Sequence, residues 1–345
     1  MTAKIFLTTL TTFVFSLLGV YAYIRFARRY HIMDIPNVRS SHSQPVPRGG
    51  GIGLLLGIGV SAALASILGV ELPSWPIWLG LVLVAGVGFW DDLRGELQVP
   101  IRLLAQLCAA LLVVSFSGRL TSLPLPPPAD LSLNGLGYLI SVIWILAVLN
   151  FFNFMDGIDG IAGSQALITG IALAFAVGME GAWLGATIAG SSLGFLLLNW
   201  QPAKIFLGDI GSYSLGFMLA AAPLQYGSER ASRLTMLVGL SLWMFLADAS
   251  LTFIHRLFSK GRVWEAHRNH FYQRLVKSGL SHKQVTLLVA ACAVTTSAMG
   301  VSAYKADREW LWWIAFLVAV LVFVLEVVLT RYRERINSSN LTHEE

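Results

Sequence analysis

Charge is scarce in this chain. Only 12% of its 345 residues are Asp, Glu, Lys or Arg, against about a quarter in soluble domains. A conventional solvated surface is therefore excluded, and with 56% hydrophobic residues the long uncharged runs must face lipid. Cysteine is nearly absent too. Cys108 and Cys292 both fall in apolar segments, so neither a disulfide framework nor a CxxC site is available. No small-residue cleavage site separates the first apolar run, 5–24, from Arg25, Arg28 and Arg29, and that run reads as a retained span rather than a removed leader. Nor is there an internal repeat of the kind that marks many transporters. The net charge of +5 then speaks of membrane orientation, not of a nucleic-acid partner.

The chain does have apolar stretches of spanning length, which is roughly 20 residues with about 17 as a lower limit. Segments 5–24, 50–70, 136–152, 161–178, 181–198, 234–254, 285–304 and 310–330 qualify, and 74–90, 101–117 and 210–226 are shorter candidates. The expected fold is an all-α polytopic membrane protein with about 11 transmembrane helices, or 10 if one short candidate fails. Basic residues give an independent check. With the N-terminus outside and the C-terminus cytoplasmic, 18 Lys and Arg fall on the cytoplasmic side and 6 outside. Dropping one short span would put the Arg25–Arg48 and Arg256–Lys283 loops on opposite sides, so the count of 11 is retained. Residues 1–335 read as a single transmembrane catalytic domain, with 336–345 a short polar tail that is expected to be disordered. A proline-rich connector holds Pro124, Pro126, Pro127 and Pro128.

Because acids are few, their positions inform. Under this topology Asp91 and Asp92 end one span, Asp156 and Asp159 sit at a turn between two others, and Asp209 lies at a third helix mouth. Asp34 is in the first cytoplasmic loop, and His267 and His270 are in the long loop after 254. Such acids repel one another unless a cation or protons compensate them. Hard oxygen donors suit Mg²⁺, with Mn²⁺ as the alternative, and magnesium in turn suggests a substrate phosphate.

Four motifs carry this chemistry. Gly-Phe-Trp-Asp-Asp (88–92) pairs two carboxylates at a helix end, where a plain interfacial stop signal is the competing reading. In Asn-Phe-Met-Asp-Gly-Ile-Asp-Gly (153–160) the spacing of Asp156 and Asp159 predicts one shared helical face, and two acids at a membrane surface are costly for mere connection. Asn199 to Ser212 places Lys204 and a glycine-flanked Asp209 before a helix that Ser212 could cap. His267 to Leu275 offers Arg268 and His270 to a phosphate, with an anionic-lipid patch as the competing reading. Arg48, before Gly49, Gly50 and Gly51, offers positive charge and open amides to an anion. Asp248, inside a predicted span, reads equally as a functional acid and as an interhelical hydrogen-bond acceptor.

In this order and sidedness the motifs resemble the polyprenyl-phosphate N-acetylhexosamine-1-phosphate transferase superfamily, over roughly residues 5–330. The resemblance implies transfer of N-acetylhexosamine-1-phosphate from a UDP-amino sugar to undecaprenyl phosphate, with release of UMP and a need for Mg²⁺. It implies a bacterial inner (plasma) membrane enzyme with its site on the cytoplasmic face, surrounded by membrane lipid, for which a homodimer is open. Carried onto this chain, Asp209 matches the metal ligand, Asp91 the acid that activates the lipid phosphate, and Asp92 its partner. His270 matches the essential histidine; Asn153, Asp156, Asp159 and Asn199 match substrate-side positions. Departures also count. Ser43 and the His270-Phe271-Tyr272 run stand where the muramyl-pentapeptide branch has a lysine and a triple histidine. Pro36 to Arg39 resembles the O-antigen-initiating branch, whose members take UDP-N-acetylglucosamine or 6-deoxy sugars such as UDP-N-acetylfucosamine. Rival classes are a muramyl-type transferase, a lipid-linked sugar transporter, which should carry midplane acids, and a CDP-alcohol phosphotransferase, whose Asp-Gly-x2-Ala-Arg stretch is missing here.

Overall fold

Inside lipid the backbone must satisfy its own hydrogen bonds, and the apolar runs of this chain do so as helices. The structure is a computed structural model that describes residues 1–36, 44–95, 97–179, 181–258 and 269–341. Thirteen helices occur among them: α1 (Thr2–Arg29), α2 (Gly51–Ile67), α3 (Trp75–Arg94), α4 (Val99–Phe116), α5 (Leu136–Phe154), α6 (Ile161–Val177), α7 (Trp183–Asn199), α8 (Gly208–Ala221), α9 (Ser228–Ser241), α10 (Trp243–Phe258), α11 (Phe271–Lys277), α12 (His282–Ala306) and α13 (Glu309–Leu341). A short antiparallel hairpin pairs β1 (Met33–Asp34) with β2 (Val46–Pro47). Helix ends follow local chemistry. Pro76 and Pro100 occupy first turns, where a missing N–H removes nothing. Gly95 closes α3 in a left-handed conformation, and Ser281 with Gln284 forms a capping box on α12.

The chain is an all-α polytopic membrane protein. Helices α1, α3, α4, α5, α12 and α13 are long and apolar enough to cross a bilayer. Helices α2, α6 and α7 are apolar but shorter. The single span expected over 234–254 is instead the pair α9 and α10, bent by 78° around Leu242. The span expected over 210–226 is α8 followed by a 3₁₀ turn, Ala222–Tyr226. Helix α13 continues to Leu341, inside the expected polar tail.

Helix α8 is the axis of the bundle. Every residue from Ile210 to Ala221 is buried, with α3, α5 and α2 packed around it. Close approach explains some of the glycines. A Cβ at Gly88 would lie 2.6 Å from the Asp209 carbonyl, and one at Gly51 2.4 Å from the Gly211 Cα. The bundle has two distinct ends. Lys4 at the start of α1 donates to the Leu68 carbonyl at the end of α2. At the other end Arg274 of α11 makes two 2.7 Å hydrogen bonds to Glu334 near the end of α13. The polar motifs gather at this second end.

Candidate active site

The centre is built on the start of α8, whose first N–H groups have no partner within the helix. Ser212, expected to cap this helix, lies inside it; the cap comes from α3. Asp92 Oδ1 accepts the Asp209 N–H at 2.9 Å, and Oδ2 accepts the Ile210 N–H at 3.1 Å. A carboxylate at a helix N-terminus is also favoured by the helix dipole. The Asp92 side chain is only 2% exposed, and Arg48 Nε lies 2.7 Å from its Oδ1. Gly208 precedes this contact at φ +75°, and a Cβ there would meet Asp92 Oδ2 at 2.4 Å. Both the backbone angle and the space demand glycine.

Asp209, one residue on, turns its carboxylate outward. Asn153 Nδ2 donates to its Oδ1 at 3.0 Å and to the Ser212 hydroxyl at 2.7 Å. Arg48 Nη2 is 3.4 Å from Asp209 Oδ1, and Arg102 Nη1 is 4.0 Å from its Oδ2. The same Arg102 nitrogen is 3.0 Å from Asp91 Oδ2, while Leu97 N–H donates to Asp91 Oδ1 at 2.8 Å. Two guanidinium groups thus interleave three carboxylates, and each arginine touches Asp209. Arg48 is delivered by a backbone zipper. Phe206 N–H donates to the Pro47 carbonyl, Gly50 N–H to Phe206, and Gly51 N–H to Leu207, at 2.8 to 2.9 Å.

The 153–160 motif divides. Asp156 and Asp159 were expected on one helical face, but the helix stops at Phe154 and Gly160 takes φ +79°. Asp156 faces the arginine–carboxylate centre. Burial pushes its carboxyl up to about 7, the Asp209 charge adds to the rise, and Arg48 opposes it. Asp159 turns the other way. Its Oδ2 accepts the Ala203 N–H at 3.1 Å, and its Oδ1 lies 3.3 Å from His282 Nδ1. Asn199 is closed as well, accepting the Gly160 N–H at 2.9 Å and donating to the Ile205 carbonyl at 2.8 Å. His270 stands immediately before α11, as its N-cap residue. It is held at 3.0 Å by Asp248. Arg268, His267, Asn37, Arg39 and Ser43 lie outside the described residues.

Sequence reasoning missed Arg102 as a site residue and counted it only for orientation. Its signal was available: it is the sole charge in α4, at the helix start. It also missed the pairing of Asp159 with His282, which no spacing announces. The expected metal fits on donor chemistry. Among the described residues no three His, Cys, Asp or Glu side chains enclose an ion by themselves. Magnesium usually takes one or two carboxylates and completes its shell with water and substrate phosphate, and Asp209 with Asp156 supplies that much.

Acids and arginines at the mouth of a lipid-spanning bundle define a membrane enzyme that handles phosphates. The sequence model of glycosyl transferase family 4 matches residues 74–227, the stretch from α3 through α8 that carries most of this centre. The chain is 32% identical to the decaprenyl-phosphate N-acetylglucosaminephosphotransferase of Mycobacterium leprae, over 81% of this chain and 77% of that protein. It is 26% identical to a probable undecaprenyl-phosphate N-acetylglucosaminyl 1-phosphate transferase of Bacillus subtilis, over 92% and 90%. The Salmonella typhi undecaprenyl-phosphate alpha-N-acetylglucosaminyl 1-phosphate transferase is 25% identical over 96% and 97%. The chain belongs to glycosyl transferase family 4, within the polyprenyl-phosphate N-acetylhexosamine-1-phosphate transferases.

Proposed function

We propose that the chain transfers N-acetylhexosamine-1-phosphate from a UDP-sugar to undecaprenyl phosphate. The observation that carries this reading is Asp209 at the mouth of α8, flanked by Arg48 and Arg102. An oxygen of the lipid phosphate attacks the β-phosphorus of the UDP-sugar. The bond from that phosphorus to the bridging oxygen breaks, and UMP leaves with the electron pair. Little covalent work falls to the protein in such a transfer, so its residues position groups and stabilise charge. Arg102, aligned by Asp91, takes the acceptor phosphate, and Asp91 keeps that phosphate deprotonated. Arg48, aligned by Asp92, takes the nucleotide diphosphate, with His270 on the same anion. Asp209, with Asp156 opposite, would hold Mg²⁺ or Mn²⁺, which when bound neutralises diphosphate charge. Asp92, Asp159 and Asn199 shape the site rather than touch the reacting atoms, because their oxygens are occupied by backbone donors and, for Asp159, also by His282.

N-acetylglucosamine is the first choice of sugar, since the curated relatives are named for it. UDP-N-acetylfucosamine is the variant to compare. The centre faces the cytoplasm across a bacterial inner membrane, with about 11 spans, the N-terminus outside and residues 1–335 as one catalytic domain. Support comes from the 18-to-6 basic split and from the start of α1 and the end of α13 lying at opposite ends of the bundle. The test is UMP release by purified protein in detergent with undecaprenyl phosphate, Mg²⁺ and UDP-N-acetylglucosamine, UDP-N-acetylfucosamine or UDP-N-acetylmuramyl-pentapeptide. Acceptor-dependent UMP from one of the first two is expected. Release from the muramyl substrate alone assigns the chain to that branch, and no UMP from any of them refutes the reading.

A further inference from the structure

Arg102 reaches the centre from the start of α4, and three groups receive it there. Two are acids: its Nη1 is 3.0 Å from Asp91 Oδ2 and 4.0 Å from Asp209 Oδ2. The third is Tyr213, which lies on α8 four residues after Asp209, so the two share one face of that helix. Tyr213 is buried, and its hydroxyl hydrogen-bonds to the Arg102 guanidinium. A buried tyrosine needs such a partner, because an unpaired hydroxyl in an apolar bundle is costly. The direction of the bond follows from the groups. Arginine carries five N–H donors and no acceptor, so the guanidinium donates and the phenol oxygen accepts.

One hydrogen bond to Asp91 leaves a partly exposed guanidinium free to swivel about that contact. A second hold, on a neutral oxygen fixed in the packed core, sets its plane. Binding a phosphate costs a long arginine its rotamer freedom, and a side chain already fixed loses less. We propose that Tyr213 is a positioning residue of the acceptor side. Its phenol oxygen takes one Arg102 N–H and, together with Asp91, turns the remaining N–H groups toward the lipid phosphate. This inference deepens the proposed transfer reaction and rests on its assignment of Arg102 to the acceptor.

The test is Tyr213→Phe, which removes the hydroxyl and keeps the ring. Equilibrium binding of undecaprenyl phosphate to the full-length protein in detergent should weaken about 3–10-fold, the worth of one hydrogen bond. The KM for that lipid should rise by the same factor, while the KM for UDP-N-acetylglucosamine and the melting temperature stay near the wild-type values. In the Arg102→Ala background the substitution should weaken lipid binding no further, because the hydroxyl acts only through the arginine. Unchanged affinity in the single variant overturns the proposal. So does an equal loss in the Arg102→Ala background, which would make Tyr213 a contact of its own. A lowered melting temperature with both KM values unmoved would make it a core brace and refutes the proposal too. A wild type that binds the lipid, with the expected loss in the variant, but releases no UMP refutes the reaction and leaves the pair standing. One that binds no undecaprenyl phosphate overturns both.

Discussion

The two sides of the polar end use the same residue types for opposite purposes. Around α3 and α8, Asp91, Asp92 and Asp209 meet two guanidinium groups, and Asp209 keeps its side chain 16% exposed. Around α6 and α12, Asp159 and Asn199 spend their polar atoms on the backbone of residues 160, 203 and 205, and on His282. An arginine held by an acid can exchange that partner for a substrate phosphate. An acid held by a backbone amide cannot let go without loosening the chain. The first side is built for chemistry and the second for shape.

Substitutions can break that contrast. The largest combined effect is expected at Asp92, which holds both an arginine and the backbone of α8. Asp92→Ala uncaps α8 and strands Arg48, so UMP release should fall to background. Thermal unfolding should show a loss of about 1–2 kcal/mol, as for other lost caps. Arg102→Ala comes next. Removing one charge-assisted contact should raise KM for undecaprenyl phosphate on the order of 10–100-fold. Its KM for the UDP-sugar should stay near the wild-type value, and a rise in that KM alone would reassign the arginine to the nucleotide side. Asn199→Ala should show the smallest kinetic change. It loses about 1–3 kcal/mol of stability through two orphaned backbone groups, while kcat of the folded fraction stays within about threefold. A selective collapse of kcat would put Asn199 in the chemistry and dissolve the contrast.

Much of this was legible in the sequence. Apolar run lengths placed most helices, because lipid leaves the backbone few alternatives. The bend at Leu242 was not legible, since Leu-Ser-Leu-Trp-Met over 240–244 carries neither proline nor glycine. Asp91, Asp156 and Asp209 stood out by their place at helix mouths and Asn153 by the family resemblance; the three acids gather around Arg48 and Arg102, and Asn153 joins them through Asp209. The two faces of Asp156 and Asp159 were misjudged because i, i+3 spacing implies one face only if the helix continues, and Gly160 ends that possibility. Asp248 could not be decided from sequence, because the histidine beside it stands 22 residues away in the chain.

The central claim is that Asp209 and its arginines perform acceptor-dependent phosphoryl transfer. Its most direct test compares wild type with Asp209→Asn, a change that keeps the acceptor oxygen for Asn153 but removes the charge. UMP release from UDP-N-acetylglucosamine is measured with and without undecaprenyl phosphate at saturating Mg²⁺, and melting is followed in parallel. The account predicts release only with the lipid phosphate, a kcat lower on the order of 10³-fold in the variant, and near-identical melting curves. Undiminished turnover by Asp209→Asn, or UMP release that ignores the lipid phosphate, would contradict it.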